Sequence, residues 1–385
     1  MNDERHADAH ANDSPRLTRR DLIIAGVATA GALVTSRVLG QGGPAPSPSG
    51  LVIRNPRALD AEAPLDALAS PITAPEHFFV RSHFGAPTQL PLAWTLTVDG
   101  RVGRPVTYTL DDIRTLGAKG ALKARPVTLE CAGNGRGVFR LPKTSGVQWE
   151  RGAVSTATWT GVPLGRLLER AGLTDDAHHL SMEALDRAPL PTVPKFLRSI
   201  PREVALGDAF VAYEMNGRPI PLLHGGPLRL IVPGWFGMAS TKWLTHVHAT
   251  PVESDNFFMS RGYRYADGSG VTTMRPKSVI ASPLAEAHVP AGTLTVMGQA
   301  WSATGIRAVD VSANGGRSWR SARLIGTEQP GAWRTWTVEV EVAAGAATLM
   351  ARATDASGGV QPIAATPNSG GYGNNSIHQV PVHVS

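Results

Sequence analysis

Short runs of alternating apolar and polar residues dominate the chain from residue 77 onward. "HFFVRSHFG" (77–85) is the first strand-like piece. "WTLTVDGRVGRPVTYTL" (94–110) keeps a period of two and breaks at Asp99-Gly100, which predicts a hairpin. "LDDIRTL" (110–116) and "PLGRLLERAGL" (163–173) change to helical spacing, the second with Gly172 placed as a C-cap. "DAFVAYEMNGRPIP" (208–221) predicts strand, Asn216-Gly217 turn and strand. "GPLRLIVPGWFGMASTKWLTHVHAT" (226–250) predicts two apolar strands around a glycine-rich loop. Residues 51–75 are interrupted by prolines, and the expectation for them is a surface wrap. Residues 51–275 therefore form one domain of the α+β class, built from several small sheets.

The pattern changes near residue 276. "TLTVMGQAW", "IRAVDVSANGGRSWRSARLI", "WRTWTVEVEV", "ATLMARATDASG" and "HQVPVHVS" are regularly spaced strands with no helical stretch between them. Asn314-Gly315 suits a type I′ turn, in which both central residues need positive φ. The spacing predicts an immunoglobulin-like β-sandwich over 276–385.

Residues 1–50 belong to neither pattern. "SPRLTRRDLII" sets Arg19-Arg20 behind Thr18 and ahead of a short Ala/Gly-rich apolar stretch, followed by the Pro/Ser/Gly linker "GQGGPAPSPSG" (40–50). The apolar stretch, about 13 residues, falls short of the roughly 20 that a membrane span needs. A basic segment, a short apolar core and a polar tail make an export signal, and the paired arginines make it the twin-arginine type. The expected location is the bacterial periplasm, reached already folded.

Composition narrows the functional classes. The 37 basic against 31 acidic residues give +6 at neutral pH, spread along the chain without a Lys/Arg run interleaved with aromatics. That argues against nucleic acid and is compatible with an anionic small molecule. One cysteine in 385 residues excludes an internal disulfide framework.

That cysteine stands in "VTLECAGNGRG" (127–137), where a β-branched run leads into Cys131 and Gly133, Gly135 and Gly137 follow. Glycines let a ligand approach the backbone, and Arg136 and Arg140 favour thiolate over thiol. The residues alone leave two readings open: a small buried hydrophobe, or a thiolate for metal binding or nucleophilic attack. A multicopper centre needs several H-x-H pairs and a His-Cys-His segment, and only His246-Val247-His248 fits.

"TLECAGNGRG" resembles the cysteine loop of the sulfite oxidase family of molybdopterin enzymes. Further matches follow in the family's order: "FFVRSHF" (78–84), "GVQWERGAVSTATWTGVPL" (146–164), "AYEMNGRPIPLLHGGPLRLIVPGWFG" (212–237), "TKWL" (241–244) and "DNFFMSRGYRY" (255–265). The resemblance implies one molybdenum held by one molybdopterin, with Cys131 as the protein's metal ligand. It assigns Arg81 and Arg136 to an oxyanion substrate and Tyr263 and Trp149 to the active site; His83, two residues beyond Arg81, would point the same way on a strand. It assigns Asp186, His224, Arg229, Ser240, Thr241 and Lys242 to the pterin and its phosphate. Taken singly, Arg81 suits an ion pair, Trp149 a core aromatic, and Arg229 and Lys242 solvated charges; only the shared motif turns them into a site.

The implied activity is oxidation of a small sulfur oxyanion, sulfite to sulfate, by a homodimer joined through the β-sandwich. With no haem-binding C-x-x-C-H in the chain, electrons pass to an external carrier such as a c-type cytochrome. One departure stands out. Where animal members place a further arginine before "H-R-V", this chain has Gly370-Gly371 in "NSGGYGNNSIHQV" (368–380). A less cationic pocket leaves room for a carrier-bound sulfane or a small S- or N-oxide. The alternative of another class is a non-catalytic exported binding module.

Overall fold

A computed structural model describes residues 50–118, 124–139 and 143–385. Of the expected signal peptide and linker (1–50), residues 1–49 lie outside the described residues, as does Arg140. Among the described residues, no helix is long and apolar enough to cross a membrane.

Two five-stranded sheets and their helices form the first part. One sheet has Arg125–Glu130, Val154–Pro163 and Phe210–Met215 in that order, with Arg218–Pro219 and Arg229–Ile231 both pairing to Phe210–Met215. The other runs Val106–Thr109, Thr95–Gly100, Leu244–Thr250, His179–Ala184, Arg198–Pro201. Alternation decides which side chains are buried where. Val211 and Leu230 face a core shared with the second sheet, while Phe210, Ala212, Val127 and Leu129 face a second core behind it. Helix Leu164–Ala171 buries Leu164, Leu167, Leu168 and Ala171, one stripe at i, i+3, i+4 and i+7. Each of the three leucines stabilises the fold by roughly 1.5–3 kcal/mol. Gly172, at φ 69°, ends the helix as predicted.

The last part is all β. Lys277–Ser282, Gly292–Trp301, Arg334–Val342 and Arg323–Ile325 form one sheet. Ala287–Val289, His378–Val384, Gly345–Asp355, Ile306–Ser312 and Arg320–Ser321 form the other. The two share a valine-rich core that includes Val296, Val309, Trp336, Val338, Leu349 and Val380.

Three expectations are corrected. The first hairpin forms, with Val98 opposite Val106, but Asp99 and Gly100 belong to the strand and the turn comes after them. The turn after Ser312 is not centred on Asn314-Gly315. Gly315 and Gly316 carry the positive φ, and Ser312 Oγ accepts the Asn314 and Gly316 N–H groups, opening a longer loop to Arg320. Residues 51–75 are no mere wrap. Asp60, Ala61, Glu62, Ala63 and Leu68 are buried, and the Leu68 carbonyl accepts a hydrogen bond from Gln299 of the C-terminal sheets. Prolines broke the periodicity there without removing the burial.

An apolar cluster and a buried ion pair join the two parts. Tyr263, Phe236, Ala132 and Leu68 pack with Val279, Trp301 and Trp333. Lys277 Nζ donates to Glu130 Oε1 (3.0 Å) and to the Asn134 carbonyl (3.1 Å), and Trp301 Nε1 donates to Glu130 Oε2 (2.9 Å). Glu130 directly precedes Cys131, so the C-terminal part grips the base of the cysteine loop.

Candidate active site

The strand Arg125–Glu130 ends at a tight knuckle. The Cys131 carbonyl accepts from Asn134 N (2.8 Å), the Gly133 carbonyl from Arg136 N (2.9 Å), and Asn134 Nδ2 donates to Glu130 Oε1 (3.0 Å). Gly135 sits at φ 91°, a conformation that most L residues avoid. The knuckle carries Cys131 to the wall of a cavity whose empty space, counted out to its open mouth, is about 720 Å³.

Around that cavity the fold collects Arg81, His83, Cys131, Asp186, His224, Arg229, Ser240, Thr241, Lys242 and Tyr263 from widely separated segments. One end is a cationic cradle. Arg229 donates through Nη1 to the His224 carbonyl (2.7 Å) and through Nη2 to the Ser240 carbonyl (3.1 Å), stacked over Trp159. Its Nε and the Thr241 hydroxyl are buried without hydrogen-bond partners. Lys242 Nζ donates to Ser82 Oγ (2.5 Å) and to the Leu223 carbonyl (3.1 Å). Burial pulls Lys242 down to about 7 and Arg229 to about 9. Burial likewise raises Asp186 to about 6 and lowers His224 to about 4, although the His224 ring donates to the Pro75 carbonyl (2.8 Å).

The other end surrounds the thiol. Arg81, its side chain a quarter exposed, pairs with fully buried Asp60 at 3.1 Å; burial opposes its charge most strongly, but Asp60, Tyr263 and Cys131 together outweigh it and keep the guanidinium protonated. Tyr263 Oη and His83 Nε2 lie 3.1 Å apart, and Phe196 stacks on His83 at 4.2 Å. Burial, then Arg81, Arg198 and Lys242, hold His83 neutral, and burial raises the Tyr263 phenol. Tyr263 itself has φ 56°, a strained conformation for a bulky residue and one that clusters at functional sites.

Arg136 and Trp149 do not line the cavity. Trp149 is fully buried with Val127, Leu129 and Phe79 behind the wall. Arg136 turns toward the C-terminal segment, with Nε and Nη2 donating to the Gly370 carbonyl (3.1 and 3.0 Å) and Nη1 to the Val147 carbonyl (2.9 Å). It lies over the Tyr372 ring, which stacks on Tyr263 at 5.1 Å. The expectation that neighbouring arginines lower the thiol pKa is also corrected. Arg81 and Arg136 do pull that way, but burial dominates and Cys131 is raised. Without a metal the group is a neutral thiol.

Three contributors escaped the sequence reading. Asp60 lies in the segment taken for a surface wrap. Tyr372 comes from the far end of the chain. Arg198 sits over the Tyr263 ring at 5.1 Å and donates to the Phe258 carbonyl. One signal was available for Arg198: in "FLRSI" it shares a strand face with buried Ile200, where a cation is out of place. The Gly370-Gly371 departure has a steric reason. A side chain at Gly370 would strike the Tyr372 ring, and one at Gly371 (φ 60°) would strike Thr144 and Arg136.

The donor set suits a large anionic cofactor and a soft metal. Cys131 supplies one thiolate, while orphaned Arg229 Nε and Thr241 Oγ1, with Lys242, wait for acceptors. Likeness to known proteins agrees. Residues 83–258 match the oxidoreductase molybdopterin binding domain, and residues 269–385 the Mo-co oxidoreductase dimerisation domain. Sulfite oxidase of Gallus gallus is 35% identical over 352 residues, covering 84% of this chain and 76% of that protein. Mitochondrial sulfite oxidase of Homo sapiens is 33% identical over 365 residues, 87% of this chain but only 66% of that protein. The solved sulfane dehydrogenase SoxCD from Paracoccus pantotrophus superposes with a TM-score of 0.73 at 28% identity, covering 89% of this chain and 86% of that one.

Proposed function

The chain belongs to the sulfite oxidase family of molybdopterin oxidoreductases, and from that premise we propose that it oxidises sulfite to sulfate and passes the two electrons to an external carrier. The observation that carries this reading is the lone thiol, Cys131, on the wall of a deep cavity with Arg81 beside it and a second cationic cluster beyond.

Cys131 would hold the metal, while Arg229, Lys242, Thr241, Ser240, His224 and Asp186 would hold the pterin and its phosphate. When bound, the molybdenum centre supplies the oxygen-atom transfer and stores the electrons. The remaining work falls to this chain. Arg81, fixed by Asp60, presents a guanidinium fork to a tetrahedral oxyanion. Tyr263 and neutral His83 offer a hydroxyl and a ring nitrogen in hydrogen-bond contact, able to orient the anion and hold a proton beside it. Arg198 and Lys242 add positive potential in a site shielded from water. Arg136 acts at one remove, by fixing Tyr372 under Tyr263. Trp149 backs the cysteine loop, its carbonyl accepting from Gly137 N at 2.8 Å.

The C-terminal pair of sheets is read as an immunoglobulin-like unit through which two copies associate, and a c-type cytochrome as the acceptor. Export to the periplasm rests on Thr18-Arg19-Arg20 in the leader.

A second reading has its own support. Gly370-Gly371 leaves out a cation that free sulfite would use, and the SoxCD likeness spans most of both chains, so carrier-bound sulfane is the rival substrate. The test is molybdenum and pterin analysis of purified protein, joined to steady-state assays of sulfite with cytochrome c. One molybdenum per chain with sulfite turnover is expected. A Cys131→Ser variant should lose at least about a hundredfold in turnover without a change in melting temperature. Full molybdenum occupancy with no sulfite turnover overturns the sulfite reading, and absence of both metal and pterin overturns the enzyme.

A further inference from the structure

The strand Leu244–Thr250 runs directly on from the cavity wall at Ser240–Lys242 and alternates strictly. Val247 and Ala249 enter the core, while His246 and His248 stand on the opposite face. Its parallel neighbour Thr95–Gly100 sets Asp99 level with His248. Asp99 Oδ1 lies 2.8 Å from His246 Nε2 and 2.5 Å from His248 Nδ1, and the two rings meet edge to face at 5.9 Å. None of these residues lines the cavity. From this juxtaposition we propose that Asp99, His246 and His248 form a second metal site, for a divalent transition ion such as Zn²⁺, that pins these two strands together.

Three observations carry the assignment. First, the donor set is two imidazoles and one carboxylate, which favours Zn²⁺ or Cu²⁺ over Ca²⁺ or Mg²⁺. Three protein donors leave one position of a tetrahedron to water or another group. Second, His246 Nε2 is buried and has no aligned hydrogen-bond partner, although a carboxylate oxygen is 2.8 Å away. A cation shared with Asp99 would give that nitrogen the well-aligned partner it lacks. Third, Ser181 lies opposite His248 on the other neighbouring strand, and its hydroxyl is also buried without a partner. It can anchor a metal-bound water.

The fit needs little movement. Donors around tetrahedral Zn²⁺ stand about 3.3 Å apart, so each imidazole retreats by less than about 1 Å. The Asp99, His246 and His248 side chains are 29%, 31% and 48% exposed, which leaves them free to make that adjustment and leaves an entry path for the ion. Parallel neighbours have no turn joining them, so a metal bridge here is a staple across a pair that backbone hydrogen bonds, packing and the Asp99–His248 hydrogen bond otherwise hold.

The experiment is Zn²⁺ titration of the molybdenum-loaded protein, in which Cys131 is occupied, followed by calorimetry and by melting temperature. One Zn²⁺ per chain should bind saturably and raise the melting temperature, because the ion binds the folded state. His248→Asn, at the most exposed position, and His246→Ala/His248→Ala should both lose binding and the thermal shift while keeping sulfite turnover. His288→Ala, which breaks a separate histidine stack with His383, should change nothing. Absence of saturable binding in the parent protein overturns the proposal and leaves a hydrogen-bonded clasp only. So does binding that persists in the double variant.

Discussion

Lys242 shows how one side chain prepares a site. Buried beside Arg229 and Arg81, its ammonium is destabilised chiefly by lost hydration, then by those like charges, and titrates near 7. An anion in the cradle restores the favourable partner. It follows that an anion binding there takes up a proton at pH 8, since free Lys242 is then mostly neutral. Sulfate, which does not titrate in this range, is the clean probe on cofactor-free protein. Its affinity should fall about tenfold per unit between about pH 7 and 9. Lys242→Gln should abolish both the proton uptake and the slope, read by calorimetry in buffers of different ionisation enthalpy. Cys131 differs in kind: burial keeps it protonated, and deprotonation accompanies metal binding.

At the scale of an element, residues 368–376 behave as a strap across the cysteine knuckle. Asn374 Nδ2 donates to the Gly135 carbonyl (2.7 Å), Gly373 N to the Ala132 carbonyl (2.8 Å), and Arg136 grips the Gly370 carbonyl. Tyr372 in this strap is what Tyr263 stacks on. Arg81 and Arg136, paired by motif, should therefore separate by kinetics. Arg81→Met should raise KM for sulfite about a hundredfold, the loss of a charged contact of roughly 3 kcal/mol. Arg136→Met should move KM by less than tenfold and lower kcat, with faster amide exchange confined to 368–376. A hundredfold rise in KM for Arg136→Met would restore it to direct substrate contact.

Across the whole molecule, the two parts communicate through the fully buried Lys277–Glu130 pair. Lys277 belongs to the C-terminal sheets and Glu130 to the strand that delivers Cys131. Removing one partner strands a buried carboxylate, so Lys277→Met should cost about 3–5 kcal/mol and loosen the knuckle. Lys277→Met/Glu130→Gln should recover part of that stability, because the charge leaves with its partner. Chemical denaturation measures both. Equal losses in the single and double variants would mean that Glu130 is satisfied by Trp301 and Asn134 alone.

The amino-acid pattern by itself was enough for the mixed first part, the all-β second part, the Gly172 cap and the Asn216-Gly217 turn, because each depends on local periodicity and backbone preference. The grouping of Cys131, Arg81, Tyr263 and the 224–242 cluster into one site came from the resemblance of its ordered motifs to the sulfite oxidase family, with His83 added by its place on the Arg81 face of a strand. What tertiary structure alone decided are the partners. Whether Arg136 faces an anion or a carbonyl depends on a strap more than two hundred residues away. Whether Cys131 is thiol or thiolate depends on how burial weighs against two arginines. The role of Asp60, hidden in a proline-broken segment, depends on Arg81 folding over it. The pairing of Asp99 with His246 and His248 depends on a parallel register that nothing local specifies. Periodicity records which face of an element is buried; only the packed chain determines what that face meets.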